Sequence, residues 1–111
     1  MASLSTHVLD TAHGRPAADM TLALWHEGAL RFEGATDMDG RCPGLAAAGP
    51  FAPGTYRIEF RVADYFRAQG MALPDPPFLD RVPIDFGIAG DGHYHVPLLA
   101  SPFAYSTYRG S

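Results

Sequence analysis

Alternation of apolar and polar residues with a period of two is the feature that most constrains how this chain can fold. In residues 56–62 every second side chain is apolar, and the side chains between them are charged. Successive side chains of a β-strand point to opposite faces, so the segment predicts a strand with one buried and one solvated face. The apolar positions are Tyr56, Ile58, Phe60 and Val62. The same pattern predicts further strands at Leu4–Asp10, Met20–His26, Leu30–Glu33, Arg81–Ile88, Tyr94–Ala100 and Tyr105–Tyr108.

Turn residues separate these segments, as the 12 glycines and 10 prolines of the chain indicate. Tight turns are predicted at His13–Pro16 and at Asp37–Gly40. Ala63–Gly70 is the one segment that favours a helix, and Gly70 is well placed to end it. The residues 72–80, rich in proline, are expected to form an ordered loop. The fold class is therefore all-β, with seven or eight short strands in two packed sheets and one short helix.

Length and charge exclude several classes of protein. The 111 residues, 47% of them apolar, predict a single domain spanning residues 1–111. A net charge of −4 without runs of Lys or Arg argues against nucleic-acid and anionic-membrane partners. No apolar stretch approaches the ~20 residues of a membrane helix. The single cysteine, Cys42, excludes an intrachain disulfide, and the first seven residues do not resemble a secretion signal, so a cytoplasmic location is expected.

Two histidines share one face of a predicted strand near the C-terminal end. If Tyr94, Val96 and Leu98 point into the core, His93 and His95 point outward. Three interpretations remain open for these imidazoles: solvated or structural side chains, two ligands of a metal site, or general acid/base catalysis. A structural zinc site lacks the usual cysteine spacing, because Cys42 is alone.

Other polar residues are ambiguous from residue type alone. His7 alternates against apolar neighbours in the first strand, whose last residue, Asp10, is expected to cap the following turn. Arg41 follows the turn Asp37–Gly40 and is either a solvated charge or a cation that holds a carbonyl or an anionic heterocycle. The final Tyr105–Ser111 segment is expected to be ordered, since its tyrosines continue the strand almost to the end.

Both ends of the chain carry recognisable motifs. Leu4–Ala12, followed by Gly14-x-Pro16-Ala17, resembles the opening signature of the 5-hydroxyisourate hydrolases, a transthyretin-like family. His93–Leu99 and Tyr105–Ser111 resemble the closing signature. The ending Tyr-Arg-Gly-Ser is similar to that of these enzymes and differs from that of the hormone-carrying transthyretins. Between them, the motifs span essentially the whole chain.

The resemblance implies a transthyretin-like sandwich of two four-stranded antiparallel sheets with one short helix. It also implies a homotetramer whose active sites lie where two dimers meet. The family's catalytic residues correspond to His7, Arg41, His95 and Ser111. Substrate contacts correspond to His7, Arg41 and Tyr108.

The implied reaction is the opening of the six-membered ring of 5-hydroxyisourate by water, during urate (purine) degradation. Its product is 2-oxo-4-hydroxy-4-carboxy-5-ureidoimidazoline. One histidine would take a proton from water and the other would protonate the leaving nitrogen, in an order that the sequence leaves open. Neither a metal nor an organic cofactor is expected. The alternatives are a transthyretin-like carrier of a small aromatic ligand and a structural module for protein contacts.

Overall fold

Two four-stranded sheets enclose the core in the computed structural model, which describes residues 1–111. One sheet has the strand order β2-β1-β7-β8 and the other the order β4-β3-β5-β6. This confirms the predicted sandwich of two four-stranded sheets. In chain order the elements are β1 (Ala2–Asp10), β2 (Arg15–Pro16), β3 (Thr21–His26), β4 (Ala29–Ala35), α1 (Pro43–Ala46), β5 (Gly54–Arg61), α2 (Val62–Ala68), β6 (Arg81–Ile88), β7 (Gly92–Ala100) and β8 (Tyr105–Thr107).

The strand pairs are antiparallel with one exception. β1 and β7 run parallel, from Ala2 opposite Gly92 to Asp10 opposite Ala100. The expectation of entirely antiparallel sheets was wrong for this pair. A hairpin forces its two strands to be antiparallel, whereas strands far apart in the chain are free of that restriction. Local patterning could therefore predict both strands but not their relative direction.

The core follows the period-two pattern of the sequence. In β5, Tyr56, Ile58 and Phe60 are each at most 1% exposed, as predicted. Val62 is buried as well, although it begins α2 rather than continuing the strand. Residues from both sheets and from α2 join them in one cluster of 22 buried side chains. Burial of such surface stabilises the fold by roughly 25 cal/mol per Å² of apolar area.

The helices are short. α2 covers the predicted segment but begins and ends slightly earlier, and Gly70 follows it with φ of +87°, as expected of a residue that stops a helix. α1 was not predicted, because it is a single turn without helical periodicity. Neither helix is long and apolar enough to cross a membrane.

A buried carboxylate joins the end of β1 to α2. Asp10 is 1% exposed and accepts hydrogen bonds from the His13 backbone N–H at 2.9 Å and the Tyr65 hydroxyl at 2.8 Å. His13 Nδ1 also lies 2.7 Å from its second oxygen. Burial alone favours the neutral acid, but the hydrogen bonds from Tyr65 and His13 outweigh it and lower the pKa of Asp10. The predicted turn cap is confirmed.

Replacing Asp10 should make the protein less stable and less sensitive to acid. We expect Asp10→Asn to lower the free energy of unfolding at pH 7 by about 1–3 kcal/mol, since buried partners lose a charged acceptor. A lowered folded pKa means that the carboxylate's contribution is fully present above about pH 3.9, the ordinary value. This contribution is lost as the pH falls through the pKa that Asp10 has in the folded protein. Urea unfolding at pH 7 and across the acid range measures both effects.

The exposed Asp80 gives a matched control, because its carboxylate makes no hydrogen bond or salt bridge within the chain. Asp80→Asn should change neither the stability nor its slope with pH by more than about 0.5 kcal/mol. An Asp10→Asn protein as stable as the wild type would contradict the assigned role.

Candidate active site

The outer face of the β1–β7 pair carries a patch of polar side chains. In the parallel register Ser5 lies opposite His95 and His7 lies opposite Pro97. Residues that are opposite or two apart along a strand share a face, so Ser5, His7 and His95 all project from the side away from the core. The predicted outward direction of His7 and His95 is confirmed by the burial of their neighbours in the strands.

Arg41 reaches this face through the predicted turn. The Asp37 carboxylate accepts a hydrogen bond from the Arg41 backbone N–H at 3.0 Å, and Gly40 adopts a φ of +78°, which a side chain would disfavour. An isolated antiparallel bridge then pairs Arg41 with His7 on the edge of β1 opposite to β7. Its exposed guanidinium makes no salt bridge within the chain. The cation therefore remains available to a ligand.

The last residues return to the same face beyond β8. The Gly110 backbone N–H donates a 2.8 Å hydrogen bond to the His95 carbonyl, and the two residues form an isolated bridge. This bridge continues the β7–β8 register, which places Tyr108 opposite Pro97. On its other side, Pro97 is paired with His7. Gly110 lies so close to the His95 ring that a Cβ atom would be 3.1 Å from Cγ.

The structure thus brings together three of the predicted residues, His7, Arg41 and His95. Tyr108 and Ser111 belong to the terminal segment that Gly110 joins to His95. Both are exposed, Tyr108 at 62%, and neither side chain makes a hydrogen bond within the chain. Their proximity to the cluster follows from the Gly110 bridge.

A backbone carbonyl determines which nitrogen of His7 can react. Nε2 of His7 lies 2.8 Å from the carbonyl oxygen of Asp39. A carbonyl only accepts hydrogen bonds, so Nε2 carries the proton and donates it. The nitrogen left for chemistry is therefore Nδ1.

His95 is held neutral by its surroundings. Burial lowers the pKa of His95, because the imidazolium loses hydration, and the positive charge of Arg41 lowers it further, as would a positive charge on His93 or His7. Since the ordinary value is 6.5, His95 is a neutral proton acceptor at pH 7.

Sequence reasoning missed two members of this cluster. Ser5 Oγ lies 2.7 Å from His95 Nδ1 and 2.9 Å from His93 Nε2, and Ser3 Oγ lies 2.6 Å from His93 Nδ1. The available signal was the alternation of Ser3, Ser5 and His7 on one face of β1. That signal acquires meaning only when β7 is known to lie beside β1.

A hollow of about 470 Å³ lies elsewhere, on the outer face of the other sheet. Its Arg57 and Asp85 neutralise each other through a 2.7 Å ion pair, and it contains no histidine. Volume alone therefore points away from the histidines, and we assign the site by its chemistry.

Cys42 takes no part in the site. Although it follows Arg41, its side chain belongs to the core and is 6% exposed. Burial raises the pKa of the thiol, which disfavours the reactive thiolate.

Adding a methyl group at Gly110 should displace the His95 ring. In Gly110→Ala the new Cβ would overlap the ring, and we expect changed imidazole resonances of His95 in ¹H–¹⁵N NMR spectra. Gly90→Ala is the matched control, since a Cβ at Gly90 meets no atom within 4 Å. Unchanged His95 resonances in Gly110→Ala would show that this terminal segment does not pack against the ring.

Known proteins resemble the chain over almost its whole length. The model of the HIUase/Transthyretin family matches residues 4–110. The 5-hydroxyisourate hydrolase of Mesorhizobium japonicum is 54% identical, with 97% of this chain and 91% of the relative covered.

Solved structures agree with these sequence matches. The 5-hydroxyisourate hydrolase of Klebsiella pneumoniae superimposes with a TM-score of 0.87 at 36% identity, covering all of both chains. An (S)-allantoin synthase gives a TM-score of 0.92 at 42% identity, but this chain spans only 44% of that longer protein. Sea bream transthyretin in complex with thyroxine gives a TM-score of 0.84 at 30% identity, covering 97% and 94% of the two chains. By fold and by sequence, the chain belongs to the HIUase/transthyretin family.

Proposed function

We propose that residues 1–111 form one hydrolase domain that opens the six-membered ring of 5-hydroxyisourate with water. The product is 2-oxo-4-hydroxy-4-carboxy-5-ureidoimidazoline, in the pathway of urate degradation. Relatives named for this activity, at up to 54% identity over nearly the whole chain, support the reaction.

The observation that carries the proposal is the grouping of His7, Arg41 and His95 on one strand face. Two imidazoles and an unpaired guanidinium supply a proton acceptor, a proton donor and a cation. A carrier for an apolar ligand has no need of such groups. The likeness to transthyretin is therefore best explained by shared ancestry of the fold rather than by a shared carrier function.

The positions of the protons support an order for the two histidines. His95, neutral at pH 7, takes a proton from water at Nε2 while the water oxygen attacks the ring carbonyl carbon. A tetrahedral intermediate forms and its carbon–nitrogen bond then breaks. The leaving nitrogen takes a proton from Nδ1 of the His7 imidazolium, whose Nε2–H remains bonded to the Asp39 carbonyl throughout. After the product leaves, the proton on His95 Nε2 passes through water to Nδ1 of His7, which restores both histidines. Each proton is thus assigned to a named nitrogen.

Arg41 stabilises the oxyanion that develops on the attacked carbonyl. The loss of one such donor costs roughly 3 kcal/mol of transition-state stabilisation in other enzymes. Tyr108 and Ser111, with free hydroxyls in the terminal segment, contact the substrate, and Ser111 orients water or substrate. This scheme uses water and side chains only, and requires no metal or organic cofactor.

The proposal predicts accelerated decay of freshly prepared 5-hydroxyisourate. Urate and urate oxidase generate the intermediate, and its ultraviolet absorbance is followed with and without this protein. In His95→Asn the turnover should fall about 10²–10⁴-fold, the usual contribution of one acid/base group. Excess EDTA should leave the wild-type rate unchanged.

His26→Asn serves as the matched control, because His26 lies in β3 of the other sheet. It should retain near wild-type turnover. Decay at the spontaneous rate in the presence of folded wild-type protein would overturn the enzyme assignment and favour a carrier.

We also propose that the chain acts as a homotetramer with its sites where two dimers meet. Edge strands β6 and β8 leave backbone hydrogen-bonding groups unpaired. Large apolar side chains in and just before β8 are exposed, including Phe103 at 62% and Tyr105 at 44%. The outer face of the β1–β7 pair, which carries the candidate site, is also uncovered in a single chain. A second dimer placed over it would exclude water from the reacting groups.

Light scattering after size exclusion should give a mass four times the 11.9 kDa of one chain. The His95→Asn protein should have the same mass, since it alters the site and not the edge strands. A fully active monomer would contradict the tetramer proposal.

For location, we propose the cytoplasm. The one cysteine is a free thiol, which suits a reducing compartment.

A further inference from the structure

We infer that Ser5 and His93 are positioning residues that hold His95 in the tautomer required for catalysis. This inference rests on the hydrolase function proposed above and adds two residues to it. It is supported by a continuous series of hydrogen bonds along the strand face, which links His95, Ser5, His93 and Ser3 and is called the hydrogen-bond relay below.

The hydrogen-bond relay has four members in a row. His95 Nδ1 and Ser5 Oγ are 2.7 Å apart, Ser5 Oγ and His93 Nε2 are 2.9 Å apart, and His93 Nδ1 and Ser3 Oγ are 2.6 Å apart. The two imidazole rings are nearly parallel, with an interplanar angle of 15° and centroids 6.4 Å apart. Each distance lies within the range of a formed hydrogen bond.

With both imidazoles neutral, the hydrogen count allows three arrangements in which every link is made. A serine hydroxyl donates once, and a neutral imidazole donates from one nitrogen and accepts at the other. The links run from His95 towards Ser3, from Ser3 towards His95, or from both histidines into Ser5, whose oxygen can accept twice. The first and third leave Nε2 of His95 as a free acceptor, whereas the second leaves it protonated.

Charges on the site favour the first arrangement. Nδ1 of His95 lies 2.7 Å from Ser5 Oγ, so Nε2 is the nitrogen left for the site. The positive charge of Arg41, which pairs with His7 on the same strand face, favours a lone pair at Nε2 over an N–H group. The first arrangement also gives the Ser5 hydroxyl an acceptor. His95 Nδ1–H then donates to Ser5, Ser5 donates to His93, and His93 Nδ1–H donates to Ser3. Nε2 is left as the base that the proposed reaction needs.

The hydrogen-bond relay also stabilises the imidazolium that His95 becomes during the reaction. When Nε2 accepts a proton from water, the Nδ1–H of the imidazolium keeps its bond to Ser5, which becomes charge-assisted. No proton has to leave the relay, and the imidazolium returns to neutrality by losing its Nε2 proton after product formation. Ser5 and His93 thus act through His95 and need not touch the substrate.

Ser5→Ala and Ser5→Thr test this role. In the wild type we expect ¹⁵N NMR of the imidazole to show His95 mainly as the Nδ1–H tautomer at pH 7. Ser5→Ala should shift the population towards Nε2–H and lower kcat/KM on the order of 10-fold. The acid limb of its pH profile should move to lower pH, because the imidazolium loses an acceptor. Ser5→Thr keeps the hydroxyl and should restore both readouts.

His93 is tested in the same way by a pair of variants. His93→Gln retains a group that can accept from Ser5 and should stay close to the wild type, whereas His93→Leu should follow Ser5→Ala. Thr55→Ala removes an exposed hydroxyl from β5 in the other sheet and is the matched control. It should change neither tautomer nor pH profile.

The outcomes separate this inference from the proposed function. An active wild type whose tautomer, kcat/KM and pH profile are unaffected by Ser5→Ala would overturn the positioning role. So would a wild-type His95 that is mainly the Nε2–H tautomer. A wild type that does not hydrolyse 5-hydroxyisourate would instead overturn the function, and the NMR comparison of Ser5→Ala with Ser5→Thr would still decide whether the relay exists.

Discussion

The parallel pairing of β1 with β7 is the interaction on which the site depends. It places residues 90 positions apart in the chain side by side, in a register that puts Ser5 against His95 and His7 against Pro97. A shift by one residue would turn one set of side chains into the core, because alternate residues face opposite ways. The buried residues Leu4, Val8 and Leu98 therefore fix the register that the polar face uses.

Backbone groups do much of the positioning around this pair. The Asp37 turn brings Arg41 to the edge of β1 and offers the Asp39 carbonyl to His7. On the other side, the Gly110 N–H anchors the terminal segment to His95. Glycine at both Gly40 and Gly110 permits approaches that a side chain would obstruct. The short motifs around these residues thus encode close backbone contacts as well as reactive side chains.

The two histidines differ because their second nitrogens meet different partners. His7 faces a carbonyl, which only accepts, so its tautomer is fixed by a single contact. His95 faces the Ser5 hydroxyl, which can donate or accept, so its tautomer depends on the remaining links and on nearby charges. This asymmetry is a physical basis for two imidazoles on one face to perform opposite proton transfers.

The sequence by itself determined the strands, their buried faces and the outward direction of His7 and His95, because alternation and turn chemistry are local properties. The motifs at the two ends also pointed to the family. Only the tertiary structure decided that β1 and β7 run parallel, that Arg41 pairs with His7, and that Ser5 links His93 to His95. These are contacts between distant segments, and their register is set by packing of the whole core, which no local pattern specifies.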